Sequence, residues 1–265
     1  MHKATVIDLD GTLLNDNKKV GSEDLQTLYK LGENEIFRII ATGRSLYSFS
    51  EVLSDDFPID YLIFAAGAGI MNFKTKEIIN SYFLKANEVK CIAQKLIELK
   101  IDFQIRSKIP ESHNYVYKKF SEKNPDFERV NILYKDYSRE LTDNYSFEDA
   151  ARFIAISPND NIVNIIENEF DNFSIIRASS PIDNKSVWME IYPPNVNKGS
   201  ALRYLSNNLN ISLSDTIGLG NDYNDIHFLD IVNEAYIVEN APEILKLKYK
   251  HTTNNNNNPL TKIFK

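Results

Sequence analysis

Ala4-Thr5-Val6-Ile7-Asp8-Leu9-Asp10-Gly11-Thr12 is the stretch on which the reading of this chain turns. A short apolar, β-branched run stops abruptly at two acids, a glycine and a threonine, the pattern of a buried strand ended by a polar turn. Side chains two apart on a strand share a face, so Asp8 and Asp10 point the same way at the carboxyl end of that strand. Open α/β sheets place their ligands at this edge. Two neighbouring carboxylates repel, and a divalent cation compensates them economically, because hard oxygen donors suit Mg²⁺. The same two acids could also do no more than cap turns, so the rest of the chain has to decide.

Outward from this stretch the pattern alternates. Glu23 to Leu31 carries Leu25, Leu28 and Leu31 at helical spacing, and Gly32 ends it. A second apolar strand, Phe37 to Ala41, runs into Thr42-Gly43-Arg44, and a third, Tyr61 to Phe64, enters the turn Ala65-Ala66-Gly67-Ala68-Gly69. Apolar runs bounded by turn residues predict a mostly parallel, doubly wound α/β sheet covered on both faces. From Phe83 the pattern changes to a helix near Glu88–Leu99, strands at Ile101–Ile105, Arg152–Ile156 and Ser174–Ala178, and a helix near Ile162–Phe170, separated by long polar connections. After Asn184 the α/β features return: strands at Val187–Tyr192, Thr216–Leu219 and Glu234–Val238, and a helix from Lys198 to Asn207. The expected organisation is therefore a core of residues 1–82 and 185–265 with an α+β domain, 83–184, inserted into it. The run Asn254 to Asn258 reads as a polar surface loop before a last short helix.

Composition narrows the functions available. The 265 residues are 43% hydrophobic and 25% charged with nine Gly and nine Pro, which argues against collagen-like, disordered and coiled-coil chains. A formal charge of −7 argues against a general nucleic-acid or anionic-membrane surface. The single cysteine, Cys91, leaves no internal disulfide and no cysteine-based metal site. The apolar stretch Tyr61 to Met71 is far shorter than the roughly 20 residues of a membrane-spanning helix. The first residues lack the features of a signal peptide, so a cytoplasmic location is expected.

Three further groups of residues stand where the first strand places its acids. Thr42-Gly43-Arg44-Ser45 follows a strand and offers a hydroxyl and an unhindered amide, suited to an anion or to a plain helix cap. Lys198 lies in the first turn of a helix, where the dipole disfavours a cation, so either an anion faces it or it is an ordinary surface lysine. Gly218-Leu219-Gly220-Asn221-Asp222-Tyr223-Asn224-Asp225 again follows a strand, and its oxygen-bearing side chains suit a hard cation or an Asx-turn. Together the groups supply two acids, a phosphate cradle, a lysine and a metal loop at one sheet edge.

In this order and spacing the chain resembles the haloacid dehalogenase superfamily. Asp8-Leu9-Asp10-Gly11-Thr12-Leu13-Leu14, Thr42-Gly43-Arg44, Lys198-Gly199 and Gly220-Asn221-Asp222-Tyr223-Asn224-Asp225 match its four motifs. The insertion, Met189-Glu190-Ile191 and Asn240-Ala241 are similar to its Cof-type branch of phosphatases. The resemblance implies a Rossmann-like core with a type IIB cap, and a Mg²⁺-dependent hydrolase of phosphoric monoesters acting on small phosphorylated metabolites, sugar phosphates first. It implies Asp8 as nucleophile and Asp10 as general acid and base. The Leu9 and Gly43 amides, Thr42, Lys198 and Asn224 would bind phosphate, with Arg44 a possible substrate contact. Asp8, the Asp10 carbonyl, Asn221 and Asp225 would hold the metal, Asp225 in or just outside the first shell. Two departures are present: Asn221 stands where the family has an acid, and Ala66-Gly67-Ala68 replaces Asn-Gly-Ala. The competing functions are a phosphosugar mutase and a non-catalytic phosphometabolite-binding protein. His113, Arg106 and Arg177 of the insertion read as surface groups, and neither sequence nor resemblance assigns an oligomeric state.

Overall fold

The computed structural model describes residues 2–180 and 186–265. It comprises two units, one formed by the chain up to Ser81 together with Asn197–Lys265, the other by Tyr82–Val196. The first unit opens with β1 (Ala4–Asp8), α1 (Ser22–Glu33), β2 (Phe37–Ala41), α2 (Leu46–Ser50), β3 (Tyr61–Phe64) and the hairpin β4 (Gly69–Asn72) and β5 (Glu77–Ser81). The second unit contains α3 (Ala86–Glu98), β6 (Phe103–Ser107), β7 (Tyr115–Lys118), α4 (Pro125–Leu133), β8 (Ser138–Glu140), β9 (Ala150–Ser157), α5 (Asn161–Glu169), β10 (Ser174–Ser179) and β11 (Val187–Tyr192). The chain then returns to the first unit with α6 (Lys198–Leu209), β12 (Thr216–Gly220), α7 (Ile226–Leu229), β13 (Glu234–Ile237), α8 (Glu243–Lys246), β14 (Lys250–His251) and α9 (Pro259–Ile263).

In the first unit the described strands run in the order β14-β13-β12-β1-β2-β3-β4-β5. Pairing is parallel from β14 to β3 and antiparallel through the β4–β5 hairpin, the mostly parallel α/β sheet that the apolar runs predict. A parallel strand covered on both faces needs a continuous apolar run, and β1 is buried along its whole length. Its register puts Asp8 beside Ala41 and Ile7 beside Leu219. The turns that follow β1, β2 and β12 therefore emerge side by side at one edge.

The second unit is a largely antiparallel sheet, β10-β11-β9-β6-β7-β8. One face packs Phe103, Phe153, Met189 and Ile191 against Val89, Ile92, Ala93 and Leu96 of α3, which recur at helical spacing, and against Ile162 and Ile166 of α5. The other face packs Ile154, Ile156 and Trp188 against Phe127 and Val130 of α4.

The expected boundary at 184–185 lies outside the described residues, and β11, assigned to the core from sequence, pairs with β9 and β10 instead. It joins the second unit because Val187, Met189 and Ile191 complete that unit's apolar layer. The polar connection between β6 and β9 contains β7, β8 and α4, the last started by Asn124, whose side chain accepts from Phe127 N at 3.3 Å. Arg106 is buried rather than superficial, stacked 4.0 Å from the centre of the Tyr115 ring and donating to Gln104 Oε1 at 2.6 Å. His113 is half-buried, edge-on to Tyr137, whereas Arg177 is exposed and lies 3.8 Å from Asp160. The Asn254–Asn258 run precedes the short helix α9 as expected and is mostly at the surface, except that Asn255 is buried and hydrogen-bonded to the segment after β1. Among the described residues no helix is long and apolar enough to cross a membrane.

Candidate active site

Asp8 ends β1 nearly buried, with both carboxylate oxygens engaged. Oδ2 accepts from Thr12 Oγ1 at 2.9 Å and Oδ1 from Lys198 Nζ at 2.7 Å. Lys198 has no exposed surface, and its ammonium also donates to Asp225 Oδ1 at 2.6 Å and to Asn224 Oδ1 at 3.5 Å. This explains a cation in the first turn of α6, since two carboxylates flank it and outweigh the helix dipole. The helix starts there because Asn197 and Ser200 cap it reciprocally, side chain to backbone, at 2.9 and 3.1 Å. Gly199 follows of necessity: a Cβ at that position would lie 2.2 Å from the His227 carbonyl oxygen of α7.

Asp225, fully buried, joins the loop after β12 to Lys198. Its second oxygen accepts from the backbone amides of Asn221 and Asp222 at 2.8 and 3.1 Å. Both of its oxygens are thus hydrogen-bonded within the protein. The side chain of Asn221 instead reaches the turn after Asp10: a Cβ on Gly11, whose φ is +73°, would meet the Asn221 amide nitrogen at 2.4 Å. Gly11 is required there both by its left-handed backbone and by this approach.

Asp10 is held differently. Arg44 donates to both of its oxygens, Nε at 2.6 Å and Nη2 at 2.8 Å, and Lys18 Nζ donates at 3.2 Å. Arg44 also donates to the Ser48 carbonyl at 2.7 Å. The guanidinium expected to touch substrate therefore grips the second acid, because its planar fork matches a carboxylate. Thr42, buried, accepts from the Arg44 amide at 3.1 Å, and a Cβ on Gly43 would meet nothing within 4 Å, so that glycine borders open space. The turn after β3 supports this loop: the amides of Ala65 and Ala66 donate to the carbonyls of Arg44 and Thr42 at 2.8 and 2.9 Å. Leu9 is buried, and its carbonyl accepts from the Leu14 amide at 2.9 Å, closing the turn after the acids.

The electrostatics separate the two acids. Burial, reinforced by Asp225, pushes the Asp8 carboxyl up to about 7 despite Lys198. Burial also acts on Asp10, but Arg44 and Lys18 outweigh it and hold that carboxyl below its usual range. Burial alone would lower Lys198, yet Asp225 and Asp8 prevail, so it stays charged.

The structure brings Asp8, Lys198, Asn224 and Asp225 into one cluster and ties Arg44 to Asp10. Sequence reasoning gave no role to Thr12, Lys18 or Asn240, although all three bond to the acids or to the turn beside them. Thr12 was visible inside the first motif and Asn240 in the pair Asn240-Ala241, but Lys18 carries no local signal. Among the described residues no group of three or more His, Cys, Asp or Glu forms a ready metal site. The groups that the resemblance gives for the metal, the Asp8 carboxylate, the Asp10 carbonyl and the Asn221 amide, are hard oxygen donors of the kind Mg²⁺ takes.

Residues 5–260 match the haloacid dehalogenase-like hydrolase family. The chain is 23% identical to a putative phosphatase of Streptococcus pyogenes, over 96% of this chain and 94% of that protein. It is 24% identical to the 5-amino-6-(5-phospho-D-ribitylamino)uracil phosphatase YwtE of Bacillus subtilis, over 96% and 93%. In fold it is similar to a haloalkanoate-superfamily phosphatase from Bacteroides thetaiotaomicron, with TM-score 0.82, 17% identity and coverage of 100% and 94%. A subclass IIB sugar phosphatase aligns with TM-score 0.79 at 19% identity, covering 99% and 97%.

Proposed function

The chain belongs to the haloacid dehalogenase-like hydrolases and is a phosphatase, and from that premise we propose that it hydrolyses small phosphorylated metabolites, sugar phosphates first, through an aspartyl-phosphate on Asp8 with Mg²⁺ as cofactor. One observation carries this reading: a buried carboxylate at a strand end, held by Lys198 and Thr12, with a second acid two residues on. The sugar-phosphate preference is supported by the subclass IIB sugar phosphatase among proteins of this fold.

Asp8 attacks phosphorus and forms an acyl phosphate as the ester oxygen departs, so one difficult hydrolysis becomes two displacements. Asp10, ionised at rest against Arg44 and Lys18, must take up a proton as the substrate binds; it then gives that proton to the departing oxygen and takes one from the water that cleaves the acyl phosphate, releasing inorganic phosphate and regenerating Asp8. Arg44 and Lys18 aim the Asp10 carboxyl in the resting protein. Lys198 fixes the orientation of Asp8, and with Thr42, Asn224 and the amides of Leu9 and Gly43 it meets the equatorial oxygens as charge shifts onto them. Asp8, the Asp10 carbonyl and Asn221 would hold Mg²⁺, with Asp225 in or just outside the first shell. When bound, the ion neutralises the repulsion between a carboxylate and a phosphate dianion. The inserted unit is read as the type IIB cap that selects the ester.

Asp8→Asn tests the central claim. It should fold as the parent does and lose at least about 10³-fold in Mg²⁺-dependent phosphate release from nitrophenyl phosphate. Near-parental turnover in this variant would remove Asp8 from the chemistry.

A further inference from the structure

The segment from Gly11 to Lys18 bears on Asp10 at both ends. Gly11 follows Asp10 in the chain, and Lys18 returns to it through its ammonium. Much of what anchors this loop comes from the far end of the sequence. Asn240 Nδ2 donates to the Gly11 carbonyl at 2.8 Å, while its Oδ1 accepts from the Asn255 amide at 3.0 Å. Asn255, only 7% exposed, donates to the Leu14 carbonyl at 3.2 Å and to Asp16 Oδ1 at 3.0 Å. Asn256 accepts from the Asp16 amide at 3.1 Å and donates to Asp16 Oδ2 at 3.0 Å. Asn254 makes the run turn, accepting from Asn256 N through its side chain and from Asn257 N through its carbonyl, both at 3.0 Å.

Asparagine suits this task because its amide both donates and accepts. Asn255 and Asn256 each bridge two groups of the loop, and Asn240 joins the loop to Asn255, without adding charge beside a pair of acids and two cations. Five hydrogen bonds from Asn240, Asn255 and Asn256 fall directly on Gly11, Leu14 and Asp16, the turn that sets where Asp10 ends and from where Lys18 reaches back.

We propose that Asn240, Asn255 and Asn256 are positioning residues for Asp10, aligning the proton donor with the departing oxygen through the Gly11–Lys18 loop. This rests on the reading of Asp10 as general acid. The test compares kcat/KM, which reports steps up to leaving-group departure, for nitrophenyl phosphate and for the alkyl phosphate that the parent hydrolyses fastest. Nitrophenolate leaves without a proton, whereas an alkoxide needs one.

Asn240→Ala and Asn255→Ala should lose about 10- to 100-fold on the alkyl ester and less than about threefold on the aryl ester, within the range that a general acid contributes. Asn257→Ala, at an exposed neighbouring position, should change neither. If Asn255→Ala does not fold, Asn240→Asp carries the same comparison, because it keeps the acceptor for Asn255 and loses the donor to Gly11. Equal losses on both esters, or no loss on either, overturn the proposal, as does a parent that cleaves aryl but no alkyl phosphates. Failure of the underlying reading is separately visible in Asp10→Asn: if Asp10 is not the general acid, that variant loses no more on the alkyl ester than on the aryl ester, and the positioning role falls with it.

Discussion

Both units bury charge, but at different points along their strands. In the first unit Asp8, Lys198 and Asp225 lie at a strand end, a helix start and a loop, so the charged atoms border the edge where turns emerge. In the second, Arg106, Arg152 and Glu190 stand within β6, β9 and β11, on one face of a paired sheet. Arg152 donates to the Tyr192 hydroxyl at 2.8 Å, Tyr192 donates in turn to Glu190, and Arg152 Nε lies 3.7 Å from Glu190. Burial and the neighbouring Arg152 guanidinium push Arg106 down to about 10. Mid-strand charges are fixed by the register on either side. A strand-end cluster is held instead by the turns that emerge at the sheet edge. Buried charge alone therefore does not mark a catalytic centre; its place at the strand end is what sets the proposed one apart.

The strongest way to break this contrast is Lys198→Met. It leaves Asp8 and Asp225 buried without their cation and should cost about 3–5 kcal/mol in urea denaturation, with phosphatase activity lost as well. Parental stability would mean that the lysine serves chemistry alone. Arg152→Met is the counterpart in the second unit. It should cost about 2–3 kcal/mol, the scale of hydrogen bonds to charged groups, while nitrophenyl phosphate turnover stays within about threefold of the parent. A large loss of turnover at unchanged stability would place that cluster in the chemistry too.

A pH series sharpens the comparison further. The Asp8 carboxyl sits at about 7 in the folded protein against an ordinary 3.8, so between these values the native state holds a proton that the unfolded chain has released. Stability from this group is present below the lower value and is lost as pH rises through the higher one, with a slope of up to ~1.4 kcal/mol per unit. Thermal melts in chelator should show this decline in the parent and a flatter curve in Asp8→Asn; identical curves would remove Asp8 as its source.

The smallest effect concerns backbone strain. Ala66 and Lys100, one in each unit, hold left-handed backbones at φ 52° and 53°. Glycine at either should raise stability by roughly 0.5–1 kcal/mol, the strain relieved less the added freedom of the unfolded chain. Only Ala66→Gly should also lower kcat slightly, because the freer backbone of glycine loosens the amide that holds the Thr42 carbonyl. Equal kinetics in both variants would detach that turn from the site.

The parts of the molecule legible in the sequence are those whose signal is local. Asp8, Thr42 and Asn221 each follow an apolar run within a few residues, and Lys198 opens an amphipathic helix, so their edge could be read from the chain. β11 could not be assigned the same way, since Val187 to Tyr192 reads as a strand in either sheet and only its pairing with β9 and β10 decides. Arg106 looks superficial until the Tyr115 ring and Gln104 are brought across from their own positions on the sheet. The asparagine run has low complexity in sequence, and its partners Leu14 and Asp16 lie about as far away as the chain allows.

The central place of β1 also bears on the order in which the protein can be completed during synthesis. Ala4 to Ile7 pair on one side with β2, made almost at once, and on the other with Thr216 to Leu219 of β12. At roughly 5–20 residues per second, that second edge waits on the order of ten to forty seconds for its partner. The inserted unit, continuous from Tyr82 to Val196, has all its strands before β12 leaves the ribosome. Asp24 of α1 waits longer still, for the backbone and hydroxyl of Thr261 in α9. The nascent chain thus carries an open parallel edge at the heart of its larger sheet while the insertion is already able to close.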